Sequence, residues 1–194
     1  MARPPRFDSD QILDAAVRLA AAAGPGGVTM SAVAQAIGAP SGSVYHRFSG
    51  RPALLAEVWL RTVERFQEGW VDALHGDPDP CRAAVAAARH VVSWSRAHPE
   101  EASLLLHGAG AFGESDWSEE HRERANTGNR RVFASLRERG TALGAAGAQD
   151  WERVTLALID LPLTVVRRHL RAGEPMPPYA EDLAERCAQA LLQT

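Results

Sequence analysis

The sequence predicts an all-α protein: an amino-terminal three-helix helix-turn-helix unit, then a helical body, about nine helices in total. Three observations carry this. Apolar residues recur at helical spacing along most of the 194 residues. No segment sustains the alternation of a strand. Residues 29–55, TMSAVAQAIGAPSGSVYHRFSGRPALL, read as short helix, tight turn, short helix, aromatic stop and the start of a long helix. That order can place a helix end in a DNA major groove.

Each element has a local reason. Ser9 or Asp10 can cap a first helix over about 9–23, with Ile12, Leu13, Ala16, Val17 and Ala20 on one stripe. Gly24-Pro25-Gly26-Gly27 stops it. Thr29 is a natural cap for a second helix, about 30–37, which ends at Gly38. A third helix spans about 41–47; Pro40 is tolerated at its first turn, where an N–H has no intrahelical partner. A long helix follows over about 51–75, closed by Gly76-Asp77-Pro78. Further helices fit 81–97, broken by His98-Pro99, and 100–107. Residues 108–118 read as a flexible loop, and the polar segment after it turns helical around Val132, Phe133 and Leu136. A helix over 149–171 should kink at Pro162, and a last one spans about 179–192. The domain expectation is 1–50 for the helix-turn-helix and 51–194 for a ligand-binding and dimerisation domain.

Charge agrees with a DNA-facing head. No Asp or Glu lies between Asp14 and Glu57, whereas Arg18, Arg47 and Arg51 fall in that gap. A surface approaching phosphates cannot carry uncompensated carboxylates. Residues 1–51 carry a net +2 and the remainder −5. All 21 basic residues are Arg, so any phosphate contact is made by a guanidinium fork or a neutral donor. Ser41, Gly42, Ser43, Val44, Tyr45 and His46 occupy the end of the third helix that reaches base edges in such a motif. Val44 could face inward or touch a thymine methyl. Arg3 and Arg6 form either a groove-reaching arm or a solubilising tail.

At these residues the chain resembles the TetR (tetracycline-repressor-like) family of bacterial transcription regulators. The resemblance rests on Ile12-Leu13-Asp14-Ala15-Ala16, Gly24, Thr29, Val33-Ala34, Ala36-Ile37-Gly38, Gly42-Ser43-Val44-Tyr45, Phe48, Arg51 and Leu54-Leu55. It covers about the first quarter of the chain. It implies that Thr29, Tyr45 and Arg51 bind phosphate. It also implies an apolar effector pocket in the helices beyond the head, for which Trp59, Phe66, Trp70, Trp94, Leu105 and Phe112 are lining candidates. The last two helices would pair with those of a second copy, giving a homodimer that reads a pseudo-palindromic double-stranded DNA operator and is released by a small-molecule effector.

Other chemistries find little support. Residues 108–113, GAGAFG, match a dinucleotide fingerprint, but a helix rather than a strand precedes them. His90, His98 and His107 with Glu100 and Glu101 fit no metal-ligand spacing, and no nucleophile motif occurs. No enzyme activity, metal or cofactor is expected. Cys81 and Cys187 make no disulfide framework, and no signal core or membrane-length apolar run occurs, so a cytoplasmic setting is the expectation. The competing reading is a helical small-molecule binding or scaffold protein without DNA function.

Overall fold

The computed structural model describes residues 8–193. Among them there are ten α-helices and no strand: α1 (Ser9–Ala23), α2 (Met30–Ala36), α3 (Ser41–Tyr45), α4 (Arg51–His75), α5 (Pro80–Ala97), α6 (Pro99–His107), α7 (Glu119–Ala142), α8 (Ala148–Thr155), α9 (Leu161–Ala172) and α10 (Tyr179–Leu192). A π-helical turn, Leu156–Asp160, joins α8 to α9, so the ten assignments make nine rods. The all-α class therefore stands. Arg3 and Arg6 lie outside the described residues.

The π turn explains Pro162. Proline lacks an N–H and its ring collides with the carbonyl four residues back. The wider turn just before Pro162, which sits in the first turn of α9, shifts the ladder where that bond would be lost.

Asp8 caps α1, one residue before the expected Ser9 or Asp10; its carboxylate accepts from the Gln11 amide at 2.8 Å. Thr29 caps α2 as expected, its hydroxyl accepting from the Ala32 amide at 3.1 Å.

The described residues fall into two compact units. One runs through Val63 and takes in Glu100–Ala125; the other comprises Glu64–Pro99 and the chain from Asn126 on. In the first, Ile12, Val17, Val28, Val33, Val44, Leu54, Leu60, Leu104 and Phe112 form one apolar core. Arg61 ties α4 back to α1 through Asp14 at 2.7 Å and Asp10 at 3.5 Å. Glu57 on α4 accepts from Arg124 of α7 at 2.9 Å.

Residues 108–118 are not the flexible loop expected from their glycines. They form two 3₁₀ turns, Ala109–Phe112 and Glu114–Asp116. Phe112 is wholly buried against Trp59, with ring centroids 5.3 Å apart, and its carbonyl accepts from the Trp117 indole at 3.0 Å. These aromatic anchors remove the freedom the glycines offer.

In the second unit α10 packs along α5. Leu74, Ala84, Ala87, Val92, Leu158, Val166 and Ala188 share its core. Arg89 reaches Glu181 and Glu185 at 2.8 Å and Asp182 at 3.0 Å across that seam. No helix among the described residues is long and apolar enough to cross a membrane.

Candidate nucleic-acid interface

The motif is built from the turn outward. Gly38 adopts φ +66°, a conformation that side-chain-bearing residues rarely accept. Its amide donates to Gln35 O at 3.1 Å, and the next amide, of Ala39, donates to Ala34 O at 2.9 Å. These bonds satisfy the last carbonyls of α2 and reverse the chain in four residues. Pro40 then precedes α3, accepting from the Ser43 amide at 2.9 Å and offering no side-chain cap.

Burial sorts the candidate residues by face. Val33, Val44 and Phe48 point into the core. Ser41, Gly42, Tyr45 and His46 are exposed, as are Thr29 and Ser31 on α2. Ser43 is half-buried. A Cβ built on Gly42 would meet nothing within 4 Å, so the backbone there is open to close approach. Tyr45 is 58% exposed, so its ring and hydroxyl are accessible from solvent.

Val44 is corrected. It is 0% exposed and cannot touch a base; its methyls hold α3 onto the head. Period-3.6 geometry places Val44 and Phe48 on one face, and once Phe48 is fixed as core, Val44 follows. Ser31, Gln35 and Arg47 join the exposed face although no motif singled out the first two. Their polar character amid apolar Val33 and Ala34 was the available signal.

Arg51 is oriented differently from expectation. Its Nε donates to Val28 O at 2.7 Å and its Nη2 to Pro25 O at 2.9 Å.

A model of bacterial regulatory proteins of the tetR family matches residues 12–58. That match takes in the amino-terminal head, residues 12–58. The chain as a whole shares the fold of solved TetR-family regulators. A TetR-like transcriptional regulator from Rhodococcus sp. RHA1 is 24% identical with a TM-score of 0.70, over 100% of this chain and 98% of that one. The TetR-family regulator PfmR from Thermus thermophilus is 22% identical with a TM-score of 0.69, over 96% of each chain. FadR from Bacillus subtilis, solved in complex with stearoyl-CoA, is 16% identical with a TM-score of 0.72, over 95% of this chain and 98% of that one. No curated protein sequence matches the chain.

The six apolar candidates for effector contact divide between the units. Trp59, Leu105 and Phe112 belong to the first, where Phe112 is sealed in that unit's own core. Phe66, Trp70 and Trp94 belong to the second. There Phe66 meets the Trp94 ring edge-on at 5.2 Å and the His90 ring at 5.8 Å. The His90 Nε2 is buried without a hydrogen-bond partner among the described residues. Burial pushes this imidazole below its ordinary value despite a hydrogen bond to the Phe66 backbone and the charge of Asp72. A groove of about 650 Å³ lies along α7 and α8, with Leu136, Arg137 and Trp151 among its lining residues. None of the six candidates lines it. His107 is exposed, and Arg89 is committed to its three carboxylates.

Proposed function

We propose that this protein is a DNA-binding transcriptional repressor that reads a pseudo-palindromic operator as a homodimer and is released by a small, mostly apolar effector. The observation that carries the reading is the exposed polar face of Thr29, Ser31, Ser41, Gly42, Tyr45 and His46, set on the buried Val33, Val44 and Phe48. Residues 15–56 contain no carboxylate, so nothing on that face repels phosphate. Hydroxyls and backbone amides grip the strands, while the exposed end of α3 meets base edges.

Residues 1–50 are the DNA-binding part in this reading, and 51–194 bind effector and pair two copies. Leu156, Tyr179 and Leu183 are large apolar side chains left exposed on the last rods, the surface a two-fold partner would cover. Pairing sets two α3 helices about 34–36 Å apart, one turn of duplex. The stearoyl-CoA held by FadR of Bacillus subtilis supports an effector with a long apolar part. Within the second unit Phe66, Trp70 and Trp94 supply apolar surface, and the buried His90 Nε2 is the polar group that would orient such a molecule. Release requires the effector to prefer the conformation that does not fit DNA. A tenfold loss of operator affinity corresponds to about 1.4 kcal/mol of coupling.

The test is selection of bound duplex from a random pool by the purified protein, followed by titration of the enriched duplex with Tyr45→Ala alongside. Enrichment of an inverted repeat, and loss of affinity in the variant, are the expected results. Failure to enrich any duplex would favour the scaffold reading instead.

A further inference from the structure

The Arg51 side chain stands where the family resemblance places a phosphate contact, yet two of its three nitrogens face the protein. Nε and Nη2 hold Val28 O at 2.7 Å and Pro25 O at 2.9 Å. Both acceptors lie in the link between α1 and α2. Two hydrogen bonds from one rigid planar cation fix the orientation of their acceptors as well as their distance.

That link has little else to hold it. Gly24, Gly26 and Gly27 surround Pro25, and a Cβ built on Gly24 or Gly26 would meet nothing within 4 Å. Only Pro25 and Val28 bury side chains there. Glycine-rich backbone has the most freedom to lose, so a segment packed through two side chains alone gains order from a further restraint. The residues immediately after it, Thr29 and Ser31, are on the exposed polar face, and Thr29 caps α2.

We propose that Arg51 is a positioning residue rather than a phosphate contact: it clamps the Pro25–Val28 turn onto the first turn of α4 and so holds Thr29 and Ser31 in the geometry that meets DNA. The inference rests on the DNA-binding reading. Without the clamp the binding-competent arrangement is only fractionally populated, and apparent affinity falls by that fraction.

Arg51→Lys and Arg51→Gln separate the two roles. Lysine keeps the charge but offers a point instead of a fork. The probe is the duplex selected by the wild-type protein, titrated over a range of salt concentrations. A clamp predicts that Arg51→Lys loses about tenfold in affinity at every salt concentration. It also predicts that Arg51→Gln leaves the slope of log affinity against log salt close to wild type. A phosphate contact predicts near wild-type affinity for Arg51→Lys and a slope reduced by about 0.9 for Arg51→Gln; either result overturns the proposal. Hydrogen exchange on the DNA-free protein gives an independent readout. The amides of Gly27 and Val28, which donate to Gly24 O and Pro25 O, should exchange at least about tenfold faster in Arg51→Lys. Those of α5 should not change. Unchanged exchange at Gly27 and Val28 would refute the clamp. If wild-type protein selects no duplex, the DNA-binding reading fails and the exchange result alone decides the clamp.

Discussion

Replacing Val44 by Ala tests whether α3 is held by its buried face or works through it. Val44 is fully buried in the head's core, and its neighbour Tyr45 is 58% exposed. The substitution removes two methyl groups at about 0.8 kcal/mol each, a floor of about 1.6 kcal/mol if the site collapses completely. Incomplete collapse adds a cavity term, so about 2–3 kcal/mol is expected. All five tryptophans lie from Trp59 onward, so none belongs to the first three helices themselves. Native-state hydrogen exchange of the α1–α3 amides is the fitting assay, because it reports the opening free energy of that segment directly. Tyr45→Ala is the counterpart: it should alter those opening energies by no more than about 0.5 kcal/mol while weakening DNA binding. Val44→Ala exchange energies within about 0.5 kcal/mol of wild type would refute the packing account, since a side chain that fills the core cannot be shortened without cost.

Three further outcomes are expected. Gly140→Ala should destabilise the second unit by about 1–3 kcal/mol despite alanine's better helix propensity, because the Trp151 ring already occupies the space of the added Cβ; thermal melting measures it, and Trp151→Leu in the same chain should restore most of the loss. Thr29→Ala removes the acceptor for the Ala32 amide and should cost about 1 kcal/mol, seen as faster exchange confined to α2. His90 has its value lowered by burial, so below about pH 6.5 the unfolded chain takes up a proton that the folded chain resists. Stability therefore falls as pH drops through that window and is unaffected by this group above it. Urea midpoints at pH 5.5 and 7.5 should differ less in His90→Asn than in wild type; an equal difference would contradict the burial account.

What could be read in the sequence was whatever is fixed within a few residues. Gly38, Gly173 and the Gly76–Pro80 run stop helices wherever they stand, and Thr29 caps whatever follows it. Apolar spacing marked out the rods, and α4 and α10 begin and end where that spacing does. The helix-turn-helix is legible for the same reason, since its turn and both short helices fit within one local stretch. Tertiary contact decided the rest. Residues 108–113 look free in sequence, yet Phe112 finds Trp59 more than fifty positions back and is pinned there. Val44 is inward because the head closes over it, and the Arg51 fork turns towards carbonyls 23 and 26 residues earlier. A side chain's direction is set by partners distant along the chain, and local periodicity carries no information about which of several reachable partners satisfies it.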